Sequence, residues 1–228
     1  MPKTSEQLAF ERVRRAIING ELPIGEFLSQ RKLANFAGVA VVTIRATLRK
    51  LENVGLIENV PRWGVRIPRE TEEMIRDRYY MRELLEVPAA LSITQSHTSD
   101  TAQRLRERAA KLDGLSQDGR PQDPTEYHDA HFDLHHYIAE CSGSHLLTET
   151  LSQVFLRTMC LYNTRAAWIP TAAYAESHSR LVEDILAGDP TIAEKSMRSH
   201  IALGLQFELE ALHAQEVPDL RKDKSWTT

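Results

Sequence analysis

Residues 20–57 read GELPIGEFLSQRKLANFAGVAVVTIRATLRKLENVGLI, and the punctuation in this stretch decides the architecture. Gly20, Pro23 and Gly25 break whatever precedes them. Ser29 then opens a short helix carrying Leu33, Ala34 and Ala37, and Gly38 makes a tight turn. Beyond it Ile44, Leu48 and Leu51 recur at i, i+4 and i+7, which puts one apolar stripe on a second helix and leaves Val42, Arg45, Ala46, Arg49 and Lys50 off it. Gly55 supplies the left-handed stop. Upstream, Ser5 is expected to cap a first helix with an apolar face at Ala9, Val13, Ala16 and Ile17. Downstream, residues 56–60 and 65–67 read as two short strands around Pro61-Arg62-Trp63-Gly64, a hairpin with basic and aromatic residues at its tip. Helix, helix, turn, helix, hairpin is the order of a winged helix-turn-helix.

Charge agrees with that assignment. Residues 1–69 hold twelve Lys/Arg against six Asp/Glu, a surplus of +6, while the rest of the chain holds sixteen against twenty-six, or −10. A basic head on an acidic body suits a polyanion held at one end only. A helix after a tight turn can enter the major groove while the preceding helix and the wing hold phosphates. Arg31, Arg45 and Arg49 are therefore the leading contacts, with Arg62 and Gly64 at the wing. The competing reading is that these arginines pair with Glu52 or with water and do nothing more.

From residue 71 onward the chain reads as helical, over about 71–95, 101–117, 125–142, 145–168, 173–187 and 191–213. Breaks fall at Gly114, Gly119, Pro121, Ser142-Gly143, Pro170 and Gly188-Asp189-Pro190. The expected fold is mainly α: residues 1–69 a winged helix with a small β-hairpin, 70–213 an all-α antiparallel bundle, and 214–228 a polar, frayed tail. At 228 residues and 42% hydrophobic composition the chain can fill two cores. It contains no apolar run near the roughly 20 residues of a membrane helix and no signal-peptide core at its start, so a soluble, cytoplasmic protein without a membrane partner is expected. Cys141 and Cys160 sit in apolar helical patterns and read as reduced, buried thiols, because two cysteines make no disulfide framework.

Eight of the nine histidines lie at or beyond His128. His131 and His135 are one helical turn apart, on a helix whose apolar stripe is Tyr127, Leu134, Ile138 and Cys141, so both rings border the interior and can chelate. His178 stands one turn before Leu181 and Val182, and His200 lies between Met197 and Ile201. Spacing alone leaves two readings open: hydrogen-bonded core histidines, or a metal site.

The string from Gly20 to Ala34, with Gly38-Val39 and the run Ile44 to Ile57, resembles the GntR family of regulators over essentially all of residues 5–68. The resemblance implies a head that dimerises on a short palindromic operator in double-stranded DNA, with arginines at the positions of Arg31 and Arg45 against the DNA. Where the family places Ser or Thr, then Arg, then Thr, this chain has Ala40, Val41 and Val42. A helix cap and a guanine-reading arginine are thereby lost. Val41 or Val42 is expected to meet a thymine methyl, with Arg31, Thr43 and Arg45 setting register.

Residues 134–144 (LHHYIAECSGS), His178 ahead of Ile185-Leu186-Ala187-Gly188-Asp189, and Met197-Arg198-Ser199-His200 resemble the FCD sensor domain of the FadR-like branch. The resemblance covers about residues 70–213. It implies a divalent metal held by one aspartate and three histidines, the histidines matching His135, His178 and His200 and the aspartate position occupied here by His131. Four imidazoles favour zinc, nickel or copper over calcium or magnesium, zinc being the first choice and nickel the alternative. The implied signal is a small organic carboxylate, with Arg82 as a clamp and Asn163 and Arg165 as further candidates. For Arg82 the alternative is a surface pair with Glu86 one turn away. His128 and His136 read as outer or solvent-facing residues.

The expected function is ligand-responsive regulation of transcription, as a repressor of a catabolic or transport operon, by a homodimer. A regulator that senses the metal itself is the alternative. A metal-dependent hydrolase ranks lower, because His131-Phe132-Asp133-Leu134-His135 has Phe where the H-E-x-x-H helix carries its general base. No enzyme activity is expected.

Overall fold

Thr4, not Ser5, starts the first helix. In this computed structural model, which describes residues 3–115, 123–162 and 177–214, the Thr4 hydroxyl accepts from Gln7 N at 3.2 Å and Gln7 Oε1 accepts from Thr4 N at 2.8 Å. This reciprocal box needs Gln or Glu three residues on; Ser5 has Leu8 there. α1 (Ser5–Ile18), α2 (Gln30–Ala37) and α3 (Val41–Asn53) follow, then β1 (Glu58–Val60) and β2 (Gly64–Arg66). Gly38 ends α2 with φ 69°, the left-handed conformation that turns the chain into α3.

The three helices close over one core built from Ala9, Val13, Ile17, Leu33, Ile44, Leu48, Leu51 and Leu56. Thr47 is also fully buried, a position outside the apolar stripe, because its hydroxyl bonds to Thr43 O at 3.1 Å and so hides its polarity. The strands are shorter than their apolar runs. Antiparallel pairing joins Glu58 to Arg66, Asn59 to Val65 and Val60 to Gly64, while Leu56, Ile57 and Ile67 leave the ladder for the core. The hairpin is tied back by Leu28 N→Val65 O at 2.6 Å and Gly25 N→Ile67 O at 2.8 Å. Gly64 has φ 103°, and a Cβ there would meet Leu28 O at 3.1 Å.

The N-terminal stretch of the first unit runs to Thr71, and the second unit begins at Glu72 and holds the described helices up to Phe155 and from Ser177 to His213. Beyond Thr71 the described elements are all helices: α4 (Glu72–Gln95), α5 (Ser99–Gly114), α6 (Pro124–Cys141), α7 (His145–Tyr162), α8 (Ser177–Leu186) and α9 (Pro190–Ala214). α5 starts two residues before its expected position because Thr98 Oγ1 accepts from Thr101 N at 3.1 Å. Asp123 caps α6 through Thr125 N at 2.8 Å. α4 packs on α6 and α8, and α5 on α6 and α8. Their core runs through Ile75, Ile93, Leu105, Leu112, Leu134, Ile138, Leu181, Val182, Ile185, Met197 and Ile201.

The expected ends of three helices, residues 116–117, 163–168 and 173–176, and the tail from 215 lie outside the described residues, as do Asn163, Arg165 and the side chain of Cys160. Cys141 is half-buried rather than buried, since it lies at the margin of its helix's packed face; partial burial still pushes its thiol pKa up. No described helix is long and apolar enough to cross a membrane.

Candidate functional site

Two groups of side chains carry chemistry, one in each unit. In the first, α2 and α3 enclose an open groove lined by Ser29, Gln30, Arg31, Lys32, Asn35, Val41 and Arg45. Arg31, Arg45 and Arg49 are exposed, as is Arg62 at the wing, where its φ is 71°. Glu52 is not held in reserve for these arginines, because its Oε1 accepts from Asn59 N at 3.1 Å. Val41 and Val42 are 37% and 76% exposed at the start of α3, and Thr43 beside them is half-buried. Ala40 occupies the N-cap with φ −67° and ψ 154° and no side-chain bond to the helix. The missing cap read from the sequence is therefore a structural fact. Trp63 stands 69% exposed beside Gly64, its ring stacked on Phe27 with centroids 5.5 Å apart.

In the second unit, α6 supplies His131 and His135, α8 supplies His178, and α9 supplies His200. One nitrogen from each of the four lies within 4.8 Å of the others. Ring centroids are 4.5 Å apart for His131 and His135, 5.1 Å for His135 and His200, and 4.9 Å for His178 and His200. Phe155 closes the cluster, 5.0 Å from the His135 ring and 5.5 Å from that of His131.

Two buried carboxylates orient these rings. Glu86 Oε2 accepts from His135 Nδ1, and Asp113 Oδ1 accepts from His178 Nδ1 at 2.8 Å. Each bond places the ring proton on Nδ1, which makes Nε2 the lone-pair nitrogen facing the cluster. Burial would push the Glu86 carboxyl up, but the charge of Arg82 and the bond to His135 outweigh it and hold the group at about 2. Burial likewise opposes ionisation of Asp113, and the bonds from His178 and Ser179 overcome it, leaving the pKa below 3.8. Burial pushes His131 and His200 well below 6.5, with neighbouring imidazoles and Arg82 adding to the effect, and pushes His135 down despite Glu86. These three rings are thus neutral at pH 7, the form that coordinates a metal.

The donor set fits a tetrahedral transition ion. His135 Nε2 and His200 Nε2 are 3.3 Å apart, and two nitrogens each about 2.05 Å from one ion at the tetrahedral angle stand about 3.3 Å apart. His131 Nε2 is buried with no hydrogen-bond partner among the described residues. An orphaned imidazole nitrogen beside three others is a group awaiting an acceptor of its lone pair or proton.

Arg82 does pair with Glu86, at 2.7 Å, but the pair is buried rather than on the surface, at 2% and 1% side-chain exposure. Its guanidinium lies 4.3 Å from the Phe155 ring centroid and 5.0 Å from that of Tyr79. His128 is also buried, 3% exposed and edge-on to Tyr127, not solvent-facing, because its turn of α6 faces inward; His136 is half-buried near Glu140. Sequence reasoning missed Glu86 and Asp113 as ring-orienting groups. Glu86 had one local signal, its i, i+4 spacing from Arg82; Asp113 had none, lying 65 residues from His178.

A winged helix-turn-helix on one unit and a buried imidazole cluster in a helical second unit define a two-part, DNA-binding regulator. The sequence profile described as bacterial regulatory proteins, gntR family, matches residues 5–67, and that of the FCD domain matches residues 77–203. The chain belongs to the GntR family of transcriptional regulators, in the group whose second domain is FCD. A probable D-xylose utilization operon transcriptional repressor of Paenarthrobacter nicotinovorans is 24% identical over 187 residues, 82% of this chain and 80% of that protein. The transcriptional regulator Mce2R of Mycobacterium tuberculosis is 25% identical over 221 residues, 85% and 87% of the two chains. Among solved structures, E. coli McbR/YncC superposes with a TM-score of 0.73 at 18% identity, over 94% of this chain and all of that one. A putative GntR regulator of Rhodococcus sp. RHA1 gives 0.67 at 18% identity, over 92% and 98%.

Proposed function

We propose that this protein is an operator-binding homodimer that represses a catabolic or transport operon and whose helical domain reads a divalent transition metal together with a small organic carboxylate. The observation that carries the sensing half is the convergence of His131, His135, His178 and His200 on one point. The Paenarthrobacter relative is named a probable repressor, which supports this direction of control.

Arg31, Arg45, Arg49 and Arg62 neutralise phosphate or meet base edges, and Val41, Val42 and Thr43 lie against the major-groove floor, with Gly64 letting the wing approach closely. The four imidazoles hold the ion, zinc before nickel, while Glu86 and Asp113 keep two of them in the coordinating tautomer. A bound ion supplies positive charge that attracts a carboxylate. Arg82, buried against Glu86 and Phe155, is the clamp for such an acid. α4 turns Tyr80, Met81 and Leu84 to solvent, at 63%, 37% and 50% exposure, and a second copy covers this face. If operator and effector prefer different arrangements of the dimer, each lowers the other's affinity by the same factor.

Binding to a duplex selected from a randomised library, at low salt, tests the regulator reading; no affinity for any duplex refutes it. Metal content of purified protein, compared with His135→Ala and His200→Ala, tests the centre, and unchanged occupancy in the variants refutes it. A second reading is supported by the ligand count. Four protein ligands saturate a tetrahedral ion, as in closed structural sites, and leave no vacant position for an acid. On that reading the metal itself is the signal, and operator affinity follows zinc or nickel while ignoring every carboxylate tried.

A further inference from the structure

Arg45 reaches the α2–α3 groove already held. Its Nε donates to Gln30 Oε1 at 3.1 Å, a bond between the first residue of α2 and the middle of the first turns of α3, fifteen residues apart. Nε is donor-only, so the amide must present its oxygen to it, and the amide NH2 is then turned elsewhere. Gln30 and Arg45 both line the groove, beside Arg31, Lys32 and Val41.

We infer that Gln30 is a positioning residue for base recognition: by holding Arg45 through Nε it presents the Nη1/Nη2 edge of the guanidinium to guanine O6 and N7. This rests on the DNA-binding reading above and goes beyond it, naming the base class and the group that sets the contact. An exposed arginine is a flexible side chain, and a rotamer ordered before binding loses less freedom when the complex forms. The Nη pair matches the two guanine acceptors, so a guanidinium already tied at Nε needs no further search to meet them. Being neutral, Gln30 leaves the full charge of Arg45 available, whereas a carboxylate at the same place would cancel it and face the phosphates. The first two residues of α3, Val41 and Val42, are apolar, so a base-reading guanidinium on this helix comes from further along it, at the held Arg45.

The test uses the full-length chain and the duplex that the wild-type protein selects from a randomised library. Binding is measured for that duplex, for the duplex with its selected guanine replaced by 7-deazaguanine, and for a scrambled duplex, with wild type, Gln30→Ala, Gln30→Glu, Arg45→Ala and the Gln30→Ala/Arg45→Ala double variant. Wild type is expected to lose about fivefold or more on 7-deazaguanine. Gln30→Ala is expected to lose most of that discrimination while its specific-to-scrambled ratio falls, Gln30→Glu to bind the selected duplex more weakly still, and the double variant to match Arg45→Ala alone. Retained discrimination in Gln30→Ala, equal losses on selected and scrambled duplexes, or effects of the two substitutions that simply add would each overturn the inference. Selection of a site without guanine overturns it too and leaves the regulator reading standing; absence of any duplex binding removes both.

Discussion

Ala40→Ser should stabilise α3, and the structure allows the size of the effect to be worked out. The first amides of α3 have no side-chain cap, since Ala40 offers no acceptor. Its backbone nevertheless sits at φ −67° and ψ 154°, almost the same as Thr4 at −69° and 158°, where the hydroxyl does cap its helix through Gln7 N at 3.2 Å. A serine hydroxyl at position 40 should reach Thr43 N in the same way without moving the chain. Such a cap contributes about 1 kcal/mol. Thr43 is neither Glu nor Gln, so the reciprocal half of the box found at α1 is not gained. About 1 kcal/mol corresponds to a fall of about fivefold in the equilibrium constant for opening α3. Hydrogen exchange of the full chain should therefore slow about fivefold at α3 amides that exchange by that opening and stay unchanged at α1. Unaltered or faster exchange in α3, or equal slowing in α1, would refute the capping argument.

Other substitutions probe the helical unit. Glu86→Ala removes the carboxylate that faces buried Arg82 and His135 and should cost about 3–5 kcal/mol in urea denaturation; a loss under about 1 kcal/mol would mean the pair is dispensable. Gly204→Ala should cost about 1–3 kcal/mol by the same measure, because its Cβ would stand 3.1 Å from the buried Tyr79 ring. Acidification in the presence of a chelator should lower the urea midpoint in two stages. His131 and His200 take protons near 6.5 in the unfolded chain but resist them when folded, so the unfolded state binds more protons and stability falls as pH drops below 6.5. Glu86 adds a further loss as pH falls from 4.5 toward about 2. A midpoint that stays flat between about pH 7.5 and 5.5, or the same slope in His131→Ala/His200→Ala, would contradict this assignment. For the proposed homodimer, Leu84→Asp on the exposed face of α4 should shift sedimentation toward monomer; an unshifted dimer would place the interface elsewhere.

Most of the head was legible because its signals are local. Gly38, the Ile44, Leu48 and Leu51 stripe and the hairpin turn each act within a few residues, and their order along the chain names the winged helix. The misplaced details were also local contests, such as Thr4 against Ser5, which a glutamine three residues on decided. His131 and His135 could be paired from their spacing on one helix turn. Their assembly with His178 and His200 depended on how α6, α8 and α9 pack, which no short window of sequence encodes.

The chain's linear pattern determined which of the described segments are helices, and that a basic head precedes an acidic helical body, since periodicity and turn chemistry operate over one or two turns. Tertiary structure alone decided that Glu86 and Asp113 stand behind the imidazoles, that Arg82 is buried against Glu86, and that Gln30 holds Arg45. Those partners lie between four and 65 residues apart, and it is the burial and register set by helix packing that convert their charges and tautomers into a site.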